Sequence, residues 1–382
     1  MSLKTREEVI AKLRQRYKTA GKEHKNKLLN QAQELLGYHR KSAIRSLRAP
    51  TVERGPRIIT GRPVKYEPVL LLPSLGKIWE ATHYACGLRL EAMLPEWIPA
   101  YEAHEKSLSQ EVREKLLSAS GRTLDRLLEP LRLQGKGRSL TRPGTLLRHQ
   151  IPIRGIFEEG KAGWLEVDTV ALCGGSLSGQ FVWMVDAVDY ATTWVEVRGM
   201  WGRGQEATLA ALKDMEANLP FDLLGLDSDN GGEFINHHVM GWLQKRARPV
   251  FMTRSRPYKS DDNAHVEQKN WTHVRQCFGY ERHDNPEVVG LINTLAKGAY
   301  GQLRNYFHAS LKLESKERQE LRVRRIYGAP QTPLARVLAS AEATKQTKQR
   351  LREQKTLLNP FALKLEVSKR LKEIDRLRRE RV

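Results

Sequence analysis

Three acidic residues, drawn from separate stretches of this 382-residue chain, stand where carboxylates could share cations: Asp168 in Trp164-Leu-Glu-Val-Asp-Thr, Asp229 in Asp227-Ser-Asp-Asn-Gly-Gly-Glu-Phe, and Glu267 in Asn263-Ala-His-Val-Glu-Gln-Lys-Asn. Hard cations such as Mg²⁺ take oxygen ligands and keep several waters, so a few carboxylates suffice to hold them. Two such ions about 3.5 to 4 Å apart suit displacement at a phosphodiester, one activating the attacking water or 3′-hydroxyl and the other steadying the leaving oxygen. In that arrangement Asp168 bridges both ions, and Asp229 and Glu267 hold one each. Asp227 is a rival to Asp229, two residues earlier on the same face of an extended strand. Asp186 and Asp189, which follow a strong apolar run, read as turn or strand-end acids.

Such a trio meets only if the intervening chain folds back on itself. Asp168 and Asp229 each end an apolar, strand-like run, and Glu267 opens a segment of helical character. Apolar, β-branched and aromatic runs predict strands at 164–170, 181–187, 193–198, 223–226 and 249–252. Helical patterns intervene at 206–219 and 233–246, and a longer one starts near 264. The close succession of the first three strands favours an antiparallel meander. The later alternation of helix and strand favours a mixed sheet covered by helices, an order that suits a ribonuclease-H-like fold. Glu233 falls in the first turn of its expected helix, with His237 and His238 on the helix surface.

The fold class expected for the whole chain is multidomain, α and α/β. A helical module with a basic, helix-turn-helix-like face spans 1–50, and a basic linker follows at 51–68. A second helical module covers 69–134 and a basic connector 135–154, ahead of the mixed-sheet core at 155–308 and a basic helical C-terminal region at 309–382. In the second module Ser118-Ala-Ser-Gly-Arg-Thr-Leu-Asp-Arg reads as the turn and recognition helix of a helix-turn-helix, with Ser120 or Thr123 near the helix start and Arg122 and Arg126 outward. Leu363, Val367, Leu371, Ile374 and Leu377 step by three or four, which predicts an amphipathic helix that packs on a partner or lies on DNA.

The net charge of +21 favours polyanions, nucleic acid first among them. Residues 309–382 hold 20 Lys and Arg against 9 Asp and Glu, over half of the excess. Arg254, Arg256, Lys259 and Lys269 flank the Glu267 segment and are placed for phosphate contact, as Arg122 and Arg126 are on the second module. No apolar run approaches the ~20 residues needed to span a bilayer, and the first residues lack the apolar core of a signal peptide, so a cytoplasmic, nucleoid-associated location is expected. Cys86, Cys173 and Cys277 form no Cys-x-x-Cys motif and read as core fillers, and the 11 histidines are too scattered for a structural zinc set.

Taken in order, Glu166-Val-Asp168, Ser228-Asp-Asn-Gly231 followed by Glu233-Phe234, and Asn263 through Asn270 resemble the catalytic core of the DDE transposase and retroviral-type integrase superfamily, over about residues 155–300. Between Asp229 and Glu267 lie 37 residues, close to the spacing of such cores. Tyr327-Gly-Ala-Pro-Gln-Thr-Pro-Leu resembles the segment that follows the core in many insertion-sequence transposases. The resemblance implies Asp229 rather than Asp227 as the second ligand, two Mg²⁺ ions with Mn²⁺ able to substitute, and a homo-oligomer acting on double-stranded DNA at element ends and target. It implies 3′-end cleavage followed by strand transfer. The chain departs from the family in having no His/His/Cys/Cys zinc module, which points to a bacterial insertion-sequence enzyme, and in placing Asp261-Asp262-Asn263 where Gly-rich sequence is common. Two other readings stay open: a ribonuclease-H-like nuclease that cuts without joining, and a catalytically inactive DNA-binding regulator derived from a transposase.

Overall fold

The computed structural model describes residues 3–49, 65–132, 161–228, 232–254, 270–319 and 322–380. Two compact units divide the chain, 1–63 and 64–382. In the first, α1 (Leu3–Thr19), α2 (Lys22–Leu36) and α3 (Arg40–Arg48) close around Leu13, Tyr17, Leu28, Ala32, Ala43 and Leu47. The helix α2 stops where the sequence suggests: Gly37 takes φ 64° and its N–H donates to the Gln33 carbonyl, a left-handed cap that glycine adopts without a Cβ clash. Three residues, Gly37 to His39, then lead into α3, on which Lys41, Arg45 and Arg48 are exposed.

The second unit opens with four helices, α4 (Pro68–Ala81), α5 (Gly87–His104), α6 (Gln110–Leu117) and α7 (Gly121–Leu128). Ser120 caps α7 by accepting the Thr123 N–H at 3.4 Å. Arg122 and Arg126, one turn apart, are exposed, while Leu124, Leu127 and Leu128 are buried. The helices α5 and α7 meet at their first turns. There the Gly87 N–H donates to Asp125 Oδ1 at 2.9 Å and the Gly121 N–H to Glu91 Oε2 at 2.6 Å. Each helix thus supplies the acid that satisfies the other's unpaired N-terminal amide and its positive dipole end. The approach is so close that a Cβ on Gly87 would stand 1.9 Å from the Gly121 carbonyl oxygen.

A five-stranded mixed sheet follows, in the order β3-β2-β1-β4-β5, from β1 (Trp164–Ala171), β2 (Val182–Asp189), β3 (Val195–Trp201), β4 (Gly225–Ser228) and β5 (Phe251–Arg254). The first three strands form an antiparallel meander, and β1, β4 and β5 run parallel. One face carries Val170, Met184, Val188 and Val197; the other carries Leu165, Val167, Val185 and Leu226. Helices α8 (Gln205–Glu216) and α9 (His237–Gln244) cover the second face. The first face meets the helix Val288–Leu295, seated by Asn293, which bonds both the N–H and the carbonyl of Gly199 at 2.7 and 3.0 Å.

One hydrophobic core runs from Leu71 and Trp97 of the helical block, through Val170 and Met184 of the sheet, to Val367 and Ile374 of the last helix, Pro360–Arg379. Polar bonds cross the same boundary, because Trp97 Nε1 donates to the Phe307 carbonyl at 3.2 Å and Arg89 Nε to that of Ala309 at 2.6 Å. The apolar stripe of the last helix therefore packs on its own chain, chiefly on Val288–Leu295. The C-terminal region is not helical throughout: Leu313–Gln319 and Arg322–Tyr327 form an antiparallel hairpin. Dense charge makes that stretch read as a solvated helix, but Val323, Ile326 and Tyr327 favour a strand. Among the described residues no helix is long and apolar enough to cross a membrane.

The crossing of α5 and α7 leaves no room for a side chain. Gly87→Ala should lower unfolding stability by about 1–3 kcal/mol in urea or thermal melts. Gly175→Ala, whose added Cβ meets nothing within 4 Å, should stay within about 0.5 kcal/mol of wild type. Equal midpoints for the two variants would show that the crossing is looser than described.

Candidate active site

Asp168 lies towards the end of β1, half-buried in a strand whose earlier residues are buried. Its Oδ1 accepts the Thr169 N–H at 2.7 Å, and its Oδ2 accepts Asn270 Nδ2 at 2.5 Å. Across the antiparallel pairing Asp168 faces Asp186 of β2, so the two carboxylates share one side of the sheet. Asp186 is fully buried, and both of its oxygens lie 3.2 and 3.3 Å from Nδ1 of His273. Asn270 and His273 are three residues apart and fall on the same side of one helical segment. A single helix face is thereby fastened to β1 through Asp168 and to β2 through Asp186.

The fastening continues down the segment. Residues Trp271–Arg275 form a wide, π-type turn, a form often found at functional sites. Tyr300 donates from its hydroxyl to the His273 carbonyl at 2.5 Å, and Arg275 Nη2 donates to the carbonyl of Ala171, the last residue of β1, at 2.8 Å. Burial pushes the Tyr300 hydroxyl well above its ordinary pKa and draws the Arg275 guanidinium down. The tyrosine is therefore a fixed donor across the physiological range.

On the same sheet face, Asp227 of β4 lies beside Glu166 of β1. Both are buried, and Asp227 Oδ1 accepts the Thr253 hydroxyl at 2.6 Å. On the opposite face the Thr169 hydroxyl donates to Glu233 Oε1 at 2.8 Å, and Arg203 Nη1 approaches the same oxygen at 3.4 Å from a position over the Trp183 ring. Glu233 is not the helix acid the sequence suggests. The helix α9 begins at His237 behind an Asn236 cap that accepts the His238 and Val239 N–H groups at 3.0 Å, and the Glu233 carboxylate is turned back onto β1. The signal in the sequence for this helix start is Asn236 itself, since Asn is a strong N-cap residue.

Of the candidate ligands, Asp168 is described, while Asp229 and Glu267 lie outside the described residues, as do Arg256, Lys259 and Lys269. Arg254 ends β5 next to Ser228 of β4 and is buried, 9% exposed. Asp189 serves the turn after β2, accepting the Thr192 N–H and hydroxyl at 2.7 and 2.6 Å and the Gly163 N–H at 2.8 Å. Asp186, by contrast, sits within its strand rather than at its end, and its role is to pair with His273. Among the described residues no three His, Cys, Asp or Glu side chains are grouped to hold a metal.

No family model matches the chain. It is 37% identical over 345 residues to the uncharacterized protein y4rM of Sinorhizobium fredii, an alignment covering 88% of this chain and 96% of that one. Among solved structures, the catalytic core domain of BIV integrase covers 38% of this chain and 84% of its own, at 13% identity and a TM-score of 0.27.

The Asp186 and His273 pair is buried, so removing one partner should strand the other. His273→Ala should cost about 3–5 kcal/mol of stability, whereas Asp186→Ala with His273→Ala should cost clearly less than the sum of the single changes. Strict additivity in chemical denaturation would mean that the two groups do not interact.

Proposed function

The chain belongs to the same family as y4rM, and we propose that it is a DNA transposase: a metal-dependent polynucleotidyl transferase that cleaves at the 3′ ends of an element and joins the freed hydroxyl to target DNA. The observation that carries this reading is the grip on Asp168. Its carboxylate accepts Asn270, three residues after Glu267, and β4 runs parallel beside β1 with Val167 opposite Ser228, the residue bonded to Asp229. Asp229 directly follows Ser228 and Glu267 precedes Asn270 by three residues in the sequence, which supports assigning all three acids to one site. The meander followed by parallel strands supports a ribonuclease-H-like core.

The surroundings of Asp168 fit a hard divalent cation. The Nδ2 of Asn270 is committed to the carboxylate, and its Oδ1 is buried with no hydrogen-bond partner among the described residues, an oxygen donor of the type Mg²⁺ accepts. Asp168, Asp229 and Glu267 would hold the ions. When bound, Mg²⁺ or Mn²⁺ lowers the pKa of the attacking water or 3′-hydroxyl and offsets charge on the phosphate. The chain's own groups do the positioning: Thr169 and Asn270 fix both oxygens of Asp168, and His273 keeps the facing Asp186 engaged elsewhere. Exposed basic residues on α3 and α7, among them Arg122 and Arg126, would hold the DNA backbone.

The decisive assay uses purified full-length protein, Mg²⁺ and a pre-cleaved duplex taken from the sequence flanking its reading frame. Joined products are expected with wild type. Asp168→Asn, Asp229→Asn and Glu267→Gln should each reduce cleavage and joining by about 10³-fold or more without moving the melting temperature by more than a few degrees. Cleavage without joining would identify a simple nuclease. Full activity in all three variants would remove the catalytic assignment.

A further inference from the structure

Away from the acidic face of the sheet, a group of cationic and imidazole side chains gathers where three parts of the second unit meet. His83 comes from the turn after α4, Arg89 from α5, Arg304 and His308 from the stretch after Val288–Leu295, and Lys364 from the last helix. Arg304, His83 and His308 are 7%, 9% and 2% exposed. The two imidazole rings lie edge to face, their centroids 5.4 Å apart, and Trp97 lies 5.8 Å from His308. Arg304 Nη1 lies 3.1 Å from His308 Nδ1. Arginine can only donate, so Nδ1 accepts and the ring proton is on Nε2.

Among the described residues that Nε2 is buried without a hydrogen-bond partner, and so is the Nε2 of His83. A buried donor without an acceptor is rare in folded proteins and calls for a physical reason. The backbone adds a second sign. His83 and the following Tyr84 take φ of 52° and 58°, a left-handed pair of non-glycine residues that persists only where the surroundings enforce it. Trp79 enforces it here, donating from Nε1 to the Ala85 carbonyl at 3.0 Å and accepting the Tyr84 N–H on its own carbonyl at 2.9 Å.

The charges around the two rings are of one sign. Burial, then Lys364 and Arg304, pushes His83 down to about 3, and burial with Arg304 holds His308 well below the usual histidine range. Burial likewise draws Arg89 down to about 10 and lowers Lys364. Among the described residues no carboxylate acts on either imidazole; the exposed Glu80 reaches Lys364. The two rings therefore sit among three cations, with a ring nitrogen on each left without a hydrogen-bond partner among the described residues and the exposed Glu80 beside Lys364 as the one carboxylate acting on the group.

We propose that His83, His308, Arg304, Arg89 and Lys364 form a binding site for a phosphate-type oxyanion, separate from the carboxylate site and independent of the catalytic reading. A tetrahedral oxyanion supplies acceptors to the ring donors and balances the guanidinium and ammonium charges at once. Arg89 and Lys364 are partly exposed and give the ligand its entry.

The test titrates inorganic phosphate into the full chain by calorimetry, with a parallel melt in which chloride holds the ionic strength constant. Wild type should bind phosphate and melt higher than in chloride. Arg304→Met and Lys364→Met should weaken binding about tenfold or more, and Lys213→Met, an exposed charge on α8, should leave it within about twofold. If Arg304→Met fails to fold, the partly exposed Lys364 carries the comparison. Competition by a short single-stranded oligonucleotide would identify the ligand as a backbone phosphate, and phosphate binding that resists the oligonucleotide would identify a free ion. Phosphate and chloride acting alike on wild type, or Lys364→Met binding as wild type does, would overturn the site.

Discussion

Acids on the buried face of a sheet set the terms for the rest of this structure. Asp168 and Asp186 face one another across β1 and β2, and like charges in that position repel. Burying Asp186 completely is expensive unless a partner accompanies it. One helical segment resolves both problems, because His273 takes Asp186 while Asn270 takes Asp168. The hydrogen bonds that make the acids tolerable also fix where the helix sits. A chain that replaced Asp186 with a hydrophobic residue could keep the sheet but would give up that second fastening point.

The helical block ahead of the sheet is tied in by the same economy of unpaired groups. Reciprocal capping of α5 and α7 consumes Asp125 and Glu91, and the carbonyls of Phe307 and Ala309, at and just past the end of Leu303–Phe307, are taken by Trp97 and Arg89. None of these partners is close in sequence; Trp97 and Phe307 are 210 residues apart. The consequence is mechanical: α7, with Arg122 and Arg126 outward, belongs to the same compact unit as β1 and Asp168. A ligand that moved α7 would therefore work against the core that holds the sheet.

Much of the sheet is legible in the sequence, because β-branched and aromatic runs such as Val182–Asp189 leave few alternatives. The ends are less so. The predicted strand at 223–226 is observed at Gly225–Ser228, and that at 249–252 is observed at Phe251–Arg254. Two residues of drift matter here, since they carry Ser228, the residue before Asp229 in sequence, to the end of β4. Asp186 departs from the sequence pattern for a different reason: an acid inside an apolar strand is explained only by a partner, and His273 is 87 residues away. Glu233 shows the limit of motif reading, as its neighbours place it in a loop whose carboxylate returns to Thr169. The hairpin at Leu313–Gln319 and Arg322–Tyr327 was hidden by charge, which pairs as readily along a helix as across two strands.

The surplus of positive charge is a property of the surface rather than of the fold. On the last helix the acids are used locally, Glu366 and Glu373 by Arg370 and Asp375 by Arg378 and Arg379. Such exposed pairs contribute little to stability. The same helix is held instead by Phe361, Leu363, Val367 and Ile374, which leaves Lys369 and Lys372 pointing outward without structural duty. A net charge of +21 works against compaction, and the extended core tolerates it because apolar burial does not depend on charge. At physiological salt such a field fades within about 8 Å. What it can act on is a polyanion already close to the surface, where many cations engage together, and it adds little to the stability of the chain.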